Sequence, residues 1–547
     1  MPLHKQKKDE VFQNLIEHVV WMTAERDDTF VLNHLFQTKS MDSVYGLDEA
    51  VLFDYLFNFM DEQEITAFLT RLAPIEGEVQ REMLTGFQIV ILYLMKCVKG
   101  IRSMNACEDI LFTDEFAMRL AGFNAMQTRR GICQRGKNKG TRGFADLRGL
   151  INNDTLANNI VKFSPESVCK CYNQIIKRLA RNGAFPKNVH AVLDCTEIET
   201  TADYEGRGEV LKEKAVAKRG THHEKKQVIV YGFKLWVVYV PGVEIPIALY
   251  VDKIQVHDIQ HARKVVDQAI INLGDHAKIK SLAVDRGFLD GKFLWGLSKI
   301  VDQFFIPAKK NLTICQEILM WSKDAESVTR EKNVTHGQGK NKHTETQVVE
   351  LKAVNDISCD WYNALGSEAN SCAKDFVPGI LHAVHVVRDD GYAHNRIKNT
   401  IFLTNKPIQN PFYVYDKYDD RSLIENELNR TAKQTWFIEN PPKKTADAVK
   451  LHIYFVMISM AMASAFRGQQ KDEKVGFGVD TGMERYRRKL RAANQDNCAI
   501  FVGDKYGIFI AYEPFVVMDI TVTEAQQLGA TKEVILKKYS VIPPSPE

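Results

Sequence analysis

The chain contains no Cys-x-x-Cys, although it carries ten cysteines in 547 residues. That absence argues against a zinc ribbon or a dithiol redox pair. Cys169 and Cys171 form the only close pair, at the wrong spacing for the common zinc motifs. Scattered thiols fit a reducing compartment. Long apolar runs are also missing. The longest, LHIYFVMISMAMASAF at 451–466, falls short of the ~20 residues of a membrane span and contains His452. It reads as a buried helix. No apolar stretch follows MPLHKQKKDE, so no secretory signal is expected. The expected setting is cytoplasmic, with no membrane partner. Net charge is only +3, so a nucleic-acid surface would have to come from local clustering. There are no tandem repeats and no long low-complexity tract.

What is present is ordinary core material. Hydrophobic residues make up 45%, and the length suits three or four domains of ~100–200 residues. Residues 1–185 carry apolar residues at helical spacing and read as mostly helical. Within them, TRRGICQRGKNKGTRG (128–143) holds Arg129, Arg130, Arg135, Lys137, Lys139 and Arg142 with no acid. Phosphate contact and a solvated loop both fit this segment. Two short helices follow, with Asp154 and Ser164 as expected caps and Pro165 in a first turn. A helix–turn–helix fits there, as does a plain helix pair.

From 186 to 307, strands and helices alternate, which predicts an α/β fold with a mixed sheet. Strands are expected at 189–195, 227–240, 243–251, 279–285 and 302–307, with helices over 257–273 and 291–300. Residues 308–397 read as a β-rich insertion. Residues 398–466 resume the α/β pattern and then turn helical. The tail, 467–547, opens with the basic helix MERYRRKLRAAN (Arg485, Arg487, Arg488, Lys489, Arg491) and adds strands in CAIFVGDKYGIFIAY.

Three acids stand out. In NVHAVLDCTEIETT (188–201) an apolar strand ends on Asp194, and burying a carboxylate is costly unless something positive meets it. IKSLAVDRGFLDG repeats the device with Asp285, although a plain Asp-x-Gly turn balanced by Arg286 also fits. In open α/β sheets ligands gather at the carboxyl ends of strands. In YDKYDDRSLIENELNRTAKQTW, Tyr418, Arg421 and Glu425 fall at i, i+3 and i+7, one face of a helix. An exposed Arg421–Glu425 salt bridge is the alternative. Together, two strand-end aspartates and one helical glutamate are hard oxygen ligands suited to Mg2+ or Mn2+. Two such ions about 3.5–4 Å apart would clamp an in-line phosphoryl displacement.

LDCTE at 193–197, GFKLW at 232–236, AVDRGF at 283–288 and Tyr-x-x-Arg-x-x-x-Glu at 418–425 resemble the DDE transposases of bacterial insertion sequences. The group most similar carries a Tyr–Arg–Glu–Lys signature and a β-rich insertion before its glutamate. The order agrees, with Asp285 standing 91 positions after Asp194 and Glu425 standing 140 positions after Asp285. The resemblance spans about 185–470. It implies a ribonuclease H-like core in which Asp194, Asp285 and Glu425 hold two Mg2+ or Mn2+ ions. Tyr418 and Arg421 would hold DNA phosphates, and Lys433 would be the signature lysine. It also implies double-stranded DNA partners (terminal inverted repeats and target DNA), an N-terminal DNA-binding region over 1–185 and a dimer that pairs the ends. Seven residues separate Glu425 from Lys433 where the signature has six, which turns Lys433 about 80° off the Glu425 face of a regular helix. A repurposed nuclease that cuts without joining and a non-catalytic DNA-binding regulator are the competing readings.

Lesser residues have local readings. Glu197 should face away from Asp194, and Asp290 should cap a helix. His257 and His261 should lie on a solvated helix face, lacking a nearby third ligand. His222 and His223 belong to a basic stretch that suits DNA or a wet hairpin. Trp236 and Trp295 should be core.

Overall fold

The structure is a computed structural model, and it describes residues 24–38, 41–46, 51–75, 84–123, 127–128, 131, 149–217, 223–336, 343–365, 377–390, 400–469 and 497–510. The basic loop residues Arg129, Arg130, Arg135, Lys137, Lys139 and Arg142, His222 and the 485–491 basic cluster lie outside these residues. The chain divides into two compact units, one made of 1–178 with 433–547 and the other of 179–432.

The first unit is mostly helical. Its long helix Ala446–Gln469 is buried along most of its length, as expected for an apolar segment with no polar face. By length and composition this helix could cross a membrane, but its apolar window is buried inside the protein. It packs against Gly86–Val98, whose Thr85–Gln88 capping box satisfies the first-turn amides. His452 Nδ1 lies 2.8 Å from the Tyr93 hydroxyl, and its Nε2 lies 3.0 Å from the Phe437 carbonyl oxygen. The same unit joins residues 25–46 and 497–510 in one small sheet. Strand Glu25–Arg26 runs parallel to Lys505–Ile510, which pairs antiparallel with Asn497–Val502, which pairs with Ser43–Gly46.

Helix Asn153–Ile160 is capped by Asn152, whose side chain accepts from the Asp154 amide, so Asp154 is a first-turn residue and not the cap. Ser164 does cap the next helix, Pro165–Arg181, through the Ser167 amide.

The second unit is built on a ten-stranded mixed sheet flanked by helices. Its strands are β1 (Asn188–Thr200), β2 (Gly208–Ala217), β3 (His223–Val240), β4 (Ile245–Lys253), β5 (Lys278–Val284), β6 (Gln303–Pro307), β7 (Ser327–His336), β8 (His343–Asp360), β9 (Pro378–Asp389) and β10 (Thr400–Thr404). Strand β1 pairs antiparallel with β3 and parallel with β5, and β5 runs parallel to β6. Strand β4 completes the far side by pairing with β3. The resulting order β4–β3–β1–β5–β6 is that of a ribonuclease H-like core. Strands β7, β8 and β9 continue the same sheet through β10 onto β6.

Two elements escape a sequence reading. Strand β2 (GEVLKEKAVA) is rich in Glu and Lys, which are weak strand formers, and forms because β3 offers it a full antiparallel ladder. Helix Thr313–Trp321 follows β6 inside the stretch read as β-rich. The segment carrying Tyr418 packs through helix Pro411–Asp419, started by an Asn410 cap and a first-turn proline. Phe412 and Val414 of that helix share an apolar cluster with Phe402, Val384 and Leu351.

Candidate active site

Strand β1 does not end at Asp194, as the sequence suggested, but runs six residues further to Thr200. Its antiparallel ladder with β3 carries it on, from Asp194 opposite Val237 to Thr200 opposite Tyr231. What ends at Asp194 is the other ladder. The last parallel rung pairs Leu193 with Val284. The next residues, Asp194 within β1 and Asp285 just past the end of β5, therefore stand at the same level where the two strands part. The opening there is the strand-end crevice of an α/β sheet.

Local hydrogen bonds fix both carboxylates. The Cys195 amide donates to Asp194 Oδ1 at 2.8 Å. The Gly287 amide donates to Asp285 Oδ2 at 3.1 Å, making Asp285 the cap of a short turn over Arg286–Phe288. The turn and the strand-end carboxylate are thus the same feature.

The third acid arrives on an irregular helix. After Pro411–Asp419 come a short turn over Arg421–Leu423, a π-helical turn over Ile424–Asn429 and a last α-turn over Arg430–Gln434. A π turn is wider than an α turn, so uniform 100° steps do not describe the segment between Glu425 and Lys433. Such turns are enriched at functional sites. Lys433 pairs with Glu439 at 3.0 Å.

Arg421 is the hub. Its Nη1 lies 3.0 Å from Glu425 Oε1, 3.4 Å from Asp285 Oδ1 and 3.9 Å from Asp194 Oδ2. The three acids thus meet one cation. Their side chains grade from 10% exposed at Asp194 through 35% at Asp285 to 58% at Glu425, so the group opens from a buried floor to solvent. Arg421 also lies over the Tyr418 ring, 5.8 Å from its centroid. Tyr418 is itself held 4.6 Å from Phe402.

The electrostatics follow from burial. Asp194 is pushed up to about 7 by burial, against the pull of Arg421 and the Cys195 amide, with Asp285 and Glu425 raising it further. Burial pulls the Arg421 guanidinium down, but Tyr418 and the three carboxylates outweigh it and raise it above the ordinary value. Tyr418 is pushed up to about 12, chiefly by burial, so its phenol stays protonated at neutral pH.

Two groups behind the acids were not singled out from sequence. Lys234, on β3, donates to Asp258 Oδ1 and to the Val256 carbonyl, each at 2.7 Å. The Trp236 indole donates to the Asp258 carbonyl at 2.6 Å. A Cβ on Gly287 would fall 2.7 Å from Asp258 Oδ2, so Asp258 backs the glycine that holds Asp285. The available signal was a lone lysine inside the apolar run QVIVYGFKLWVVYV, which requires a partner. His190, also on β1, lies 2.7 Å from Ser281 Oγ and 3.6 Å from Asp420.

Glu197 faces away from Asp194 and pairs with Lys212. Asp290 caps its helix through the Phe293 amide at 2.8 Å. His257 precedes the helix, which starts at Ile259, so the two histidines do not share a helix face. His261 is packed between Trp236 and Tyr250 and contacts Asp252 at 2.8 Å, not solvent alone. Trp236 is core, and Trp295 packs edge-on against Trp361.

The donor set is chemically suited to a hard divalent cation, being all carboxylate oxygen and already gathered on one positive charge. Among the described residues, no three His, Cys, Asp or Glu side chains stand at the spacing of a formed metal cage. The acids are arranged around the guanidinium instead.

The family model described as "Transposase DDE domain" matches residues 186–462, just over half of the chain. The chain belongs to the DDE transposase family. That family is one of DNA-cleaving and strand-transferring enzymes that use divalent metal ions. The match covers Asp194, Asp285 and Glu425 in a single domain. A solved piggyBac transposase synaptic complex with hairpin DNA is similar at 13% identity and a TM-score of 0.38, over 91% of this chain and 86% of that one. No curated protein matches.

Proposed function

We propose that the chain is an insertion-sequence transposase of the Tyr–Arg–Glu–Lys type. It binds the terminal inverted repeats of its element as a homodimer, cuts the strands there and joins the freed 3′-OH to target DNA. Its place of action is the bacterial nucleoid. The observation that carries this reading is the meeting of Asp194, Asp285 and Glu425 on Arg421 at the end of the β1–β5 pair, inside a matched DDE domain.

Asp194, Asp285 and Glu425 hold the metal in this reading. Two Mg2+ or Mn2+ ions, when bound, supply an activated water or 3′-OH and offset charge on the leaving oxygen. The Cys195 and Gly287 amides keep two of the carboxylates aimed. Arg421 meets the scissile or adjacent phosphate. Its Nε is buried and has no hydrogen-bond partner among the described residues, which leaves a donor for a phosphate oxygen. Tyr418, held protonated, offers an O–H and not a negative charge to the DNA backbone. Lys433 contacts DNA near the cut. The 1–185 region, with Arg129, Arg130, Arg135, Lys137, Lys139 and Arg142, grips phosphates away from the chemistry.

The test is to incubate the purified protein with a linear fragment bearing the element's own terminus, with Mg2+ and separately with Ca2+, and to map the nicks. Nicks at the element boundary with Mg2+, followed by joined products, support the reading. Cutting without joining would favour the nuclease, and binding without cutting would favour the regulator.

A further inference from the structure

We infer that Arg421 is an internal counter-ion that competes with the divalent metal for the three acids, so that metal loads fully only when DNA phosphate draws the guanidinium away. This rests on the metal-binding reading given above.

The geometry divides each aspartate's oxygens in two. Asp194 Oδ1 and Asp285 Oδ2 are taken by backbone amides. The other oxygens, Asp194 Oδ2 and Asp285 Oδ1, point with Glu425 Oε1 at one nitrogen, Arg421 Nη1. These three oxygens are the ones a shared ion would use. A guanidinium nitrogen and a divalent ion cannot both occupy the point where these oxygens converge, because an oxygen turned onto Arg421 Nη1 is not free to ligate an ion.

Arg421 is also built to leave. It sits between the end of helix Pro411–Asp419 and the π turn, on a long side chain whose Nε has no hydrogen-bond partner among the described residues. A guanidinium pairs with phosphate through two parallel N–H bonds, which its contacts to three separate acids through one nitrogen do not match. A phosphodiester arriving beside the acids therefore offers Arg421 a better partner. Its movement uncovers three carboxylates next to the phosphate to be cut. Metal and DNA then load cooperatively, and each raises the affinity for the other.

The experiment measures Mn2+ binding to the metal-free full-length protein by electron paramagnetic resonance, without any reaction. The set is wild type, Arg421→Gln, Arg421→Lys, Asp194→Asn and Asp194→Asn/Arg421→Gln, each checked for folding by circular dichroism. Arg421→Gln should bind Mn2+ at least about tenfold more tightly than wild type, since one positive charge among the acids is gone. Arg421→Lys should stay near wild type. The double variant should lose the gain, which places it at the acids. A short DNA duplex should tighten Mn2+ binding by wild type and leave Arg421→Gln nearly unchanged. Equal affinity in wild type and Arg421→Gln, with both weakened by adding Asp194→Asn, would overturn the competition while keeping the metal site. A duplex effect of equal size in both proteins would overturn the coupling. Mn2+ binding that ignores Asp194→Asn in every background would overturn the metal-binding reading beneath it.

Discussion

Leu193 and Val284 form the last rung between two parallel strands, and each is followed by an aspartate. Backbone pairing therefore sets Asp194 beside Asp285, whatever their side chains prefer. Replacing either acid should remove metal binding without dismantling the sheet. Asp194→Ala, Asp285→Ala and Glu425→Ala should each abolish Mg2+-dependent cleavage of end DNA while largely sparing DNA binding. Gel assays of cleavage and of mobility shift on the same fragment check this, and full cleavage by Asp285→Ala would refute the assignment.

Asp194 gives a pH dependence with a definite sign. Its folded-state carboxyl is raised to about 7 from an ordinary value near 3.8. The folded state thus holds a proton that the unfolded state has released. Its stabilising effect is fully present below about pH 4 and is lost as pH rises through about 7. In metal-free protein, Asp194→Asn should therefore be more stable than wild type at pH 8, by roughly 2–4 kcal/mol. The gap should close near pH 4. Urea melts at both pH values measure it. Metal binding needs the deprotonated carboxylate, so Mn2+ affinity of wild type should weaken as pH falls below 7.

Gly287 has no room for a side chain. Its Cβ would press on Asp258 Oδ2, in a residue that Lys234 holds by the other carboxylate oxygen, Oδ1, and Trp236 by the backbone carbonyl. Gly287→Ala should cost roughly 1–3 kcal/mol through local overpacking. It should also weaken Mn2+ binding by displacing the amide that aims Asp285. Thermal melts with and without Mn2+ separate the two effects: wild type should gain stability from the ion and the variant should gain less.

Lys433 is the position where the signature spacing departs from this chain. Lys433→Ala should impair processing of the excised end, including any hairpin, more than the first nick. Time courses on intact and pre-nicked end DNA compare the two steps, and equal impairment would count against a role specific to the end. Arg135→Ala or Lys137→Ala, in the basic loop, should each lower the salt slope of DNA binding by about one unit if the residue contacts phosphate. Binding isotherms across a salt series give that slope.

Much of the second unit was legible because its strands announce themselves. The runs around Asp194 and Asp285 are apolar, short and closed by acids, and the structure makes both of them neighbours in the sheet. The extension of β1 to Thr200 was not legible. It depends on β3, whose partner residues lie about thirty to forty positions away in the chain, and the polar run CTEIET gives no local sign of it. Strand β2 was hidden for the same reason. The Tyr418–Arg421–Glu425 spacing suggested one face of a regular helix; Arg421 does contact Tyr418 and Glu425, but across a helix end and a π turn that spacing alone cannot reveal. The Lys234–Asp258 support was missed because its two halves lie 24 residues apart, and only tertiary packing joins them. Arg421 was read as a phosphate contact, with a salt bridge to Glu425 as the alternative; that pair forms, and the approach of Arg421 to Asp194 and Asp285 came only from the fold.

The most direct measurement is anomalous diffraction from crystals of the full chain soaked in Mn2+ with a short end-DNA duplex. The account predicts an anomalous peak within about 2–2.5 Å of oxygens from Asp194, Asp285 and Glu425, with the Arg421 guanidinium moved onto a phosphate. A well-ordered ion bound elsewhere, with Arg421 still seated among the three acids beside bound DNA, would contradict it.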